Sequence, residues 1–395
     1  MTTNGRPSSP SLTLPYDVLT CIVEKCSRYT LLDLCLANKA FYSVAVARLY
    51  RDPFGLIIDE LPDSFMRLVP WYRLYRLLST NTRLASHVKR FISSRCSHLS
   101  GRISDEWMIL SNLHNLKTVE WHDGVSITAV SLFTDECPSV DITSVWLAPD
   151  ITGQLQPSFW PWLESQRNMR EIELHWSCDP SSIPTLTLPK LEALGATPEV
   201  AKILVPNRSI RAFDGIGNIR DTASPTWSLE DLEHVLPHLG TGLQSIGGVK
   251  VMRQHVGSFL RLVRKWCPFT KTLHFLIDFE DFSISNAPGV IDPEDLVSAL
   301  RGFKCLRNLY LTVDYELTEG SVREMIKEIA KDCPTLSFVK WTSTVRPCDD
   351  LHRNYAFKEF RCELIDGLWS RVEPLSDDEY PVVRAEESVI ERRSH

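Results

Sequence analysis

Apolar residues recur along this chain with two different periods, and the change of period divides it. Over residues 14–52 the spacing is helical: behind Pro15, which suits a first turn, Val18, Leu19, Ile22, Val23 and Cys26 make one stripe, predicting a helix from about Pro15 to Cys26. A second predicted helix, LLDLCLAN, carries Leu31, Leu32, Leu34, Leu36 and Ala37 with Asp33 as its only charge, and Thr30 is placed to cap it. A third, KAFYSVAVARLYRD, puts Tyr42, Ala45, Val46 and Leu49 on one face with Phe41, Val44 and Tyr50 on the flanks. Three short helices bury too little to stand alone, and each large apolar side chain is worth roughly 1.5–3 kcal/mol when covered. The surplus predicts a cover, supplied either by the rest of the chain or by a partner.

Residues 53–112, rich in Trp, Tyr and Arg, read as linker helices and a first irregular repeat, with DSFMRLVPWYRLYRLLSTN broken near Pro70 and HVKRFISSR as a short strand. From residue 113 to about 345 the pattern becomes apolar-x-x-apolar-x-apolar. It is strong in LKTVEW, MREIEL, LRNLYL and LSFVKW, partial at Leu191, Ile210, Leu243 and Thr270, and fits either of two phases in VDITSVWL. Successive units start 19 to 36 residues apart. Helical segments fill the gaps: SLEDLEHVLPHLG, HVGSFLRLVRKWCP, DPEDLVSALRGF with Asp292 as cap and Pro293 in its first turn, and TEGSVREMIKEIAKDCP with a capping box at Ser321 and Glu324. Strand and helix in alternation predict an α/β chain: a three-helix start, then an irregular solenoid with parallel strands on its concave face and helices on its convex face. Residues 346–382, with YAFKEFRCELI as a terminal strand, read as a C-terminal cap. The segments 1–13 and 383–395 read as a disordered head and a flexible tail.

Within each strand the apolar template positions point inward and the residues between them outward. The outward row then contains Glu120 and His122, Glu173 and His175, His274 and Leu276, Tyr310 and Thr312, and Lys340 and Thr342. The substrate-facing candidates are Glu120, His122, Glu173, His175, His274, Tyr310 and Lys340, a mixed surface suited to protein recognition.

Charge and composition remove competing classes. The formal net charge of -7, with no basic cluster among aromatics, gives no footprint for nucleic acid or an anionic membrane. No apolar run approaches bilayer length and none near residue 1 resembles a signal peptide, so the expected site of action is the cytoplasm, the nucleus or both. The 11 cysteines read as reduced and packed, since single Cys residues far apart lack the paired spacing of a zinc site. GTGLQSIGG lacks the Gly-Lys-Ser/Thr of a phosphate loop and reads as two turns flanking a strand. His234 and His238 are four apart but have no evident third ligand, and Pro237 disturbs their turn. No nucleophile signature, metal set or cofactor motif is present, so the expectation is a non-catalytic protein without cofactor or metal. A hydrolase carried on the array is the rival from another class.

The first helices also resemble a known family. LPYDVL is similar to the opening Leu-Pro-x-Glu/Asp-aliphatic-Leu of the F-box, TLLDLCLANKAFYSVA to its middle, and ARLYRD to the aromatic end of fungal members. Ala37-Asn38 stands where many members have Val-Cys, and Phe41 where many have Trp. The resemblance implies a hook that binds a Skp-type adaptor and through it a cullin of a ubiquitin ligase. By position, Leu14, Pro15, Leu19, Ile22, Val23, Leu34, Leu36, Asn38, Phe41, Leu49 and Tyr50 would face the adaptor. Cys137-Pro138, Cys267-Pro268 and Cys333-Pro334, each ahead of the next unit, resemble the cysteine-containing leucine-rich repeats of F-box proteins, in which the thiol packs in the core. A repeat scaffold whose first helices merely cap the solenoid, with no ligase, is the alternative.

Overall fold

The computed structural model describes residues 14–54, 68–93, 109, 112–121, 141–147, 159–175, 183–184, 186–216, 226–278, 293–313, 319–345, 356–365 and 368–372. His122, Cys137-Pro138, Asp292, the head 1–13 and the tail 383–395 lie outside them. The chain divides into two compact units, Met1–Ile142 with Asp150–Phe159, and Thr143–Pro149 with Trp160–His395.

The first unit opens with α1 (Tyr16–Glu24), α2 (Arg28–Ala37) and α3 (Lys39–Leu49). Ser27, not Thr30, caps α2: its Oγ accepts the Thr30 N–H at 3.3 Å, one turn inside the helix. Asn38 ends α2 in an extended conformation and caps α3, its Oδ1 accepting the Ala40 N–H at 2.7 Å. Leu19, Val23, Leu31, Val44 and Ala45 close a small core, with Cys26, Leu34, Cys35, Phe41 and Leu49 packed against it. Tyr42, placed by its spacing on the same face as Ala45, is exposed, because Val44, Ala45 and Val46 take the buried side of α3.

After α3 come α4 (Leu68–Thr80), α5 (Thr82–Ala85) and two parallel strands, β1 (Arg90–Ser93) and β2 (Thr118–Trp121). Pro70 does not break α4 as expected; it lies in the first turn, where its missing N–H costs nothing. The hook is not loosely tied to β1. Phe54 is fully buried, edge-on to Phe91 at 5.1 Å and tilted on Tyr75 at 6.0 Å. The Arg51 carbonyl accepts from the N–H groups of Lys89 (2.9 Å) and Arg90 (3.4 Å). That double bond is a repeating device: Lys89 O receives Lys117 and Thr118 N–H in the same way, and in the second unit Arg170 O receives Glu192 and Ala193, and Arg307 O receives Ser337 and Phe338. Residues 51–54 therefore stand as the rung before the first strand.

The second unit contains, in order, β3 (Ser144–Leu147), α6 (Phe159–Ser165), β4 (Glu171–Leu174), β5 (Ala193–Ala196), α7 (Pro198–Leu204), β6 (Ala212–Asp214), α8 (Leu229–Leu239), β7 (Ser245–Met252), α9 (Val256–Trp266), β8 (Thr272–Asp278), α10 (Pro293–Leu300), β9 (Asn308–Val313), α11 (Glu319–Asp332) and β10 (Phe338–Val345). The strands from β3 to β10 pair parallel, each with the next in sequence. Crossovers of one hand put the helices on one face, as Phe259 of α9 shows by lying edge-on to Phe275 of β8 at 5.5 Å. Ser228 and Asp231 form a reciprocal capping box that starts α8. Ser321, expected to cap a helix, lies within the first turn of α11, which begins at Glu319.

The first position of the template is buried throughout, from Val88 and Leu116 to Met169, Leu243 and Leu336, and VDITSVWL takes the phase that buries Ile142, Val145 and Leu147. The GTGLQSIGG expectation needs correction: Gly240–Gly242 form a turn, but Gly247 and Gly248 lie inside β7, where the register with β8 slips between Ile246 and Val249. Gly248 has φ +53, which only glycine adopts without strain, and a bulge is what the extra residue makes. YAFKEFRCELI forms β11 (Ala356–Ile365), antiparallel to β10, and β12 (Leu368–Val372) is antiparallel to β11, so the parallel ladder ends in a hairpin.

Cys267 and Cys333 are fully buried, consistent with packing. Each ends its helix and donates its S–H to the last turn of the preceding one, Cys267 to Leu236 O at 3.8 Å and Cys333 to Leu300 O at 3.1 Å. Burial pushes the Cys267 thiol up to about 12 and, with Asp332 beside it, that of Cys333 up to about 11. Both are thus expected to resist a thiol-specific chromophore in the native protein at pH 8 while exposed Cys21 reacts at once. Equal rates for all three would refute the packing.

Candidate functional site: an apolar hook and a polar sheet face

Among the described residues, the hook carries most of the exposed large apolar side chains. Among the described residues, eight of the ten exposed large hydrophobics are Leu14, Tyr16, Val18, Ile22, Tyr29, Leu32, Leu36 and Tyr42; the others are Phe269 and Leu364. Leu36 is 88 % exposed. Val18, Cys21, Ile22 and Cys26 line a shallow groove along α1, flanked by Asp17 and Lys25. Glu24 reaches Arg48 and Arg51, each at 3.4 Å, and so fixes α1 to the end of α3.

This geometry sorts the residues expected to face an adaptor. Leu14, Pro15, Ile22 and Leu36 are exposed, whereas Leu19 and Val23 are buried in the hook's own core. Leu34, Phe41 and Leu49 are half-buried against that core, Asn38 is an exposed cap, and Tyr50 is partly covered, with burial first and Tyr42 and Cys35 next pushing its phenol up. The stripe Val18, Leu19, Ile22, Val23 is therefore two faces: one closes the hook and the other looks out. Tyr16, Val18, Tyr29, Leu32 and Tyr42 belong to the exposed set and were not among the expected adaptor residues, because a helical stripe alone does not say which edge meets the neighbouring helix.

The second surface is the sheet face turned away from the helices. Cross-strand register places Trp146 beside Glu173, Glu173 beside Gly195, Gly195 beside Asp214 and Asp214 beside Gly247; past the bulge, His274 lies beside Tyr310 and Tyr310 beside Lys340. Glu173, His175, His274, Tyr310 and Lys340 are thus brought onto one face of the second unit. Glu173 and His175 pair at 2.5 Å, and Trp146 stands edge-on to the His175 ring at 5.3 Å. A Cβ on Gly195 would come within 2.6 Å of Glu173 Cγ, so the missing side chain makes room for the carboxylate arm. Asp214 Oδ1 accepts the Ile216 N–H at 2.7 Å and holds Ile216 at φ +50, a costly conformation for a β-branched residue.

Glu120 needs correction as a substrate residue. It belongs to the first unit, is 8 % exposed, and receives both Nε (2.6 Å) and Nη2 (2.7 Å) of Arg90, which also holds Asp52 at 2.9 Å. A bidentate pair so covered ties the hook's end to β1 and β2. Leu276, Thr312 and Lys340, also expected to face outward, are buried. Asp214 and Trp146 are the residues sequence reasoning missed. The signal existed at the same template offset, but the unit at Ile210 matches only partly and the unit at Ile142 had two phases.

His274 lies 5.9 Å from the Tyr310 ring, and Tyr310 is 5.3 Å from Phe338. Burial and then the nearby Lys340 ammonium lower the His274 pKa to about 4. A histidine held neutral in the fold contributes stability that is complete above its unfolded pKa near 6.5 and is lost as pH falls toward the folded value. Between pH 6.5 and 5 the chain is expected to lose up to about 2 kcal/mol through this side chain. His274→Gln should flatten that slope in denaturant unfolding, and an unchanged slope would refute the assignment.

His234 and His238 lie exposed on α8 with ring centroids 5.9 Å apart, and the helix runs through Pro237 to Leu239. Among the described residues no group of three His, Cys, Asp or Glu could hold a metal, and no helix is long and apolar enough to cross a membrane.

Consecutive parallel strands, each entered through the apolar template and backed by helices, define a leucine-rich-repeat-type fold. No family model matches the chain, and no curated protein matches it either. Among solved structures it is similar to the leucine-rich repeat-containing protein LegL7 from Legionella pneumophila, with 12 % identity and a TM-score of 0.37 over 70 % of this chain and 84 % of that one. It is also similar to a chain of the Rad7 and Elc1 complex of yeast, with 10 % identity and a TM-score of 0.34 over 83 % and 92 %. A Bacteroides fragilis protein matches with 13 % identity and a TM-score of 0.32 over 64 % and 73 %.

Proposed function

We propose that the chain is the substrate-recognition subunit of a Skp/cullin/F-box ubiquitin ligase. Residues 14–52 serve as the F-box and bind a Skp-type adaptor, and through it a cullin, while the repeats hold a protein target. The observation that carries this reading is the concentration of exposed apolar side chains on the hook, where the sequence already resembles the F-box. The protein performs no covalent chemistry and needs no cofactor. It acts in the cytoplasm or nucleus by proximity, since a target held beside a charged ubiquitin carrier meets it at high effective concentration.

A second reading has an observation of its own. Residues 51–54 continue the ladder, which suits helices that simply cap a repeat scaffold. Co-purification with a Skp-type adaptor separates the two: the ligase reading requires a stoichiometric complex that also captures a cullin, and the scaffold reading requires none.

A further inference from the structure

The residues through which the strands of the second unit are entered form a ladder of their own. Each backbone N–H donates to the carbonyl one strand earlier: Glu192 to Arg170 O at 2.8 Å, Arg211 to Glu192 O at 2.7 Å, and Gln244 to Arg211 O, Lys271 to Gln244 O and Arg307 to Lys271 O at 2.8 Å. One residue per strand is thus stacked in register, and residues so placed turn their side chains to the same side. Arg170, Arg211, Gln244, Lys271 and Arg307 are exposed and Glu192 is half-buried. The four cations are far apart in sequence and meet only because each stands directly after the first template position of its unit.

The positive charge of this edge is not spent within the fold. Nearby Arg208 and Arg264 are committed to main-chain carbonyls, and Arg301 to Asp332. Among the described residues, Arg170, Arg211, Lys271 and Arg307 meet no carboxylate; Lys271 reaches only the neutral Gln244 side chain, at 3.3 Å. Lys271 and Arg307 hold adjacent rungs about 4.8 Å apart, where like charges oppose sheet pairing. Arg170 and Arg211, with Lys190, Glu192 and Ser209, line a cavity of about 200 Å³. Glu192 stands between the two arginines in the ladder and closes an ion pair with neither. Like charges held together without a counter-charge repel one another, and a bound anion removes that cost.

We propose that this edge binds an acidic segment of a protein, laid across the strand entries with aspartate or glutamate side chains at Arg170 and Arg211 and again at Lys271 and Arg307. Five strand spacings of about 4.8 Å put the entries of β4 and β9 roughly 24 Å apart, which an extended chain covers in about seven residues. Glu192 favours a peptide over a nucleic acid, because a polynucleotide carries a charge at every unit while a peptide can set a neutral residue there. Phe269, exposed two residues before Lys271, offers the segment an apolar contact. This deepens the reading of the repeats as the part that holds a protein target, and it needs no adaptor.

The test uses the full chain and fluorescein-labelled peptides of about nine residues, with glutamates toward both ends and Leu and Gly between, read by fluorescence anisotropy. The acidic peptide is expected to bind about tenfold more tightly than its glutamine counterpart and to lose most of that advantage between about 50 and about 500 mM salt. Arg211→Gln and Arg307→Gln should each weaken it about threefold, while Glu192→Gln should strengthen it about twofold. Lys327→Gln removes an exposed cation on α11 that is not part of the ladder and should change nothing. Thermal melting identifies any variant that fails to fold, and the peptide comparison on the unaltered chain decides independently of them. Equal binding of the acidic and glutamine peptides, an equal loss from Lys327→Gln, weakening by Glu192→Gln, or tighter binding of a labelled oligothymidylate would overturn the proposal. Adaptor capture from the same preparation keeps the two readings apart: acidic selectivity without capture sinks the ligase alone, and capture without selectivity sinks this inference alone.

Discussion

Leu36→Asp is expected to weaken adaptor capture by about 100-fold or more, the effect of placing a charge at the centre of an apolar interface, while leaving folding nearly untouched. The reason is exposure: Leu36 is 88 % open, so a carboxylate there stays hydrated in the free protein and is stranded only on docking. Ile22→Asp should act likewise from the α1 groove, at 38 % exposure. Leu19→Asp is a control of a different kind, since it places a charge in the hook's core and should abolish capture by unfolding the helices. Calorimetric titration of a Skp-type adaptor, with circular dichroism on each variant, checks all three. Unchanged affinity for Leu36→Asp and Ile22→Asp together would remove the F-box reading.

Phe54→Ala is expected to cost about 3–5 kcal/mol, the range for deleting a fully enclosed aromatic side chain. The ring touches Phe91 of β1 and Tyr75 of α4, so the cavity opens where the hook's exit meets the first repeat. The structure gives it company: Arg51 O binds two N–H groups at the start of β1, and Asp52 shares Arg90 with Glu120. The loss should therefore appear as faster amide exchange at Lys89 and Arg90 as well as a lower denaturant midpoint. A loss below about 1 kcal/mol would mean that residues 51–54 are a passive tether rather than a rung.

The repeat template was legible wherever all three apolar positions survive, as in the segments that became β2, β4, β9 and β10. It blurred where small residues replace large ones: β5 reads ALGA and β7 holds two glycines, because carboxylate arms from the neighbouring strands occupy the space. That is a relation between strands, which the local pattern does not contain. The hook was legible as three helices but not as inside and outside. Its stripes are wide, so only the packing of α1 and α2 on α3 decides that Leu19 is core and Ile22 is surface. Caps proved the least readable: Thr30 and Ser321 are good capping residues one turn too late, since each helix had an earlier start available. On the sheet face, offset alone put His274 and Tyr310 at neighbouring positions, yet it also offered Lys340, which is buried, and Glu120, whose commitment to Arg90 depends on a residue in the preceding strand.

The Arg51 rung also sets where the chain can be cut. A fragment starting after residue 52 would leave the backbone donors of Lys89 and Arg90 without their acceptor and present β1 as a bare edge, the kind of edge on which strands of separate molecules add to one another. The hook and the repeats are separable on paper by sequence, but the hydrogen bonding makes the last residues of one the first turn of the other's protection against aggregation.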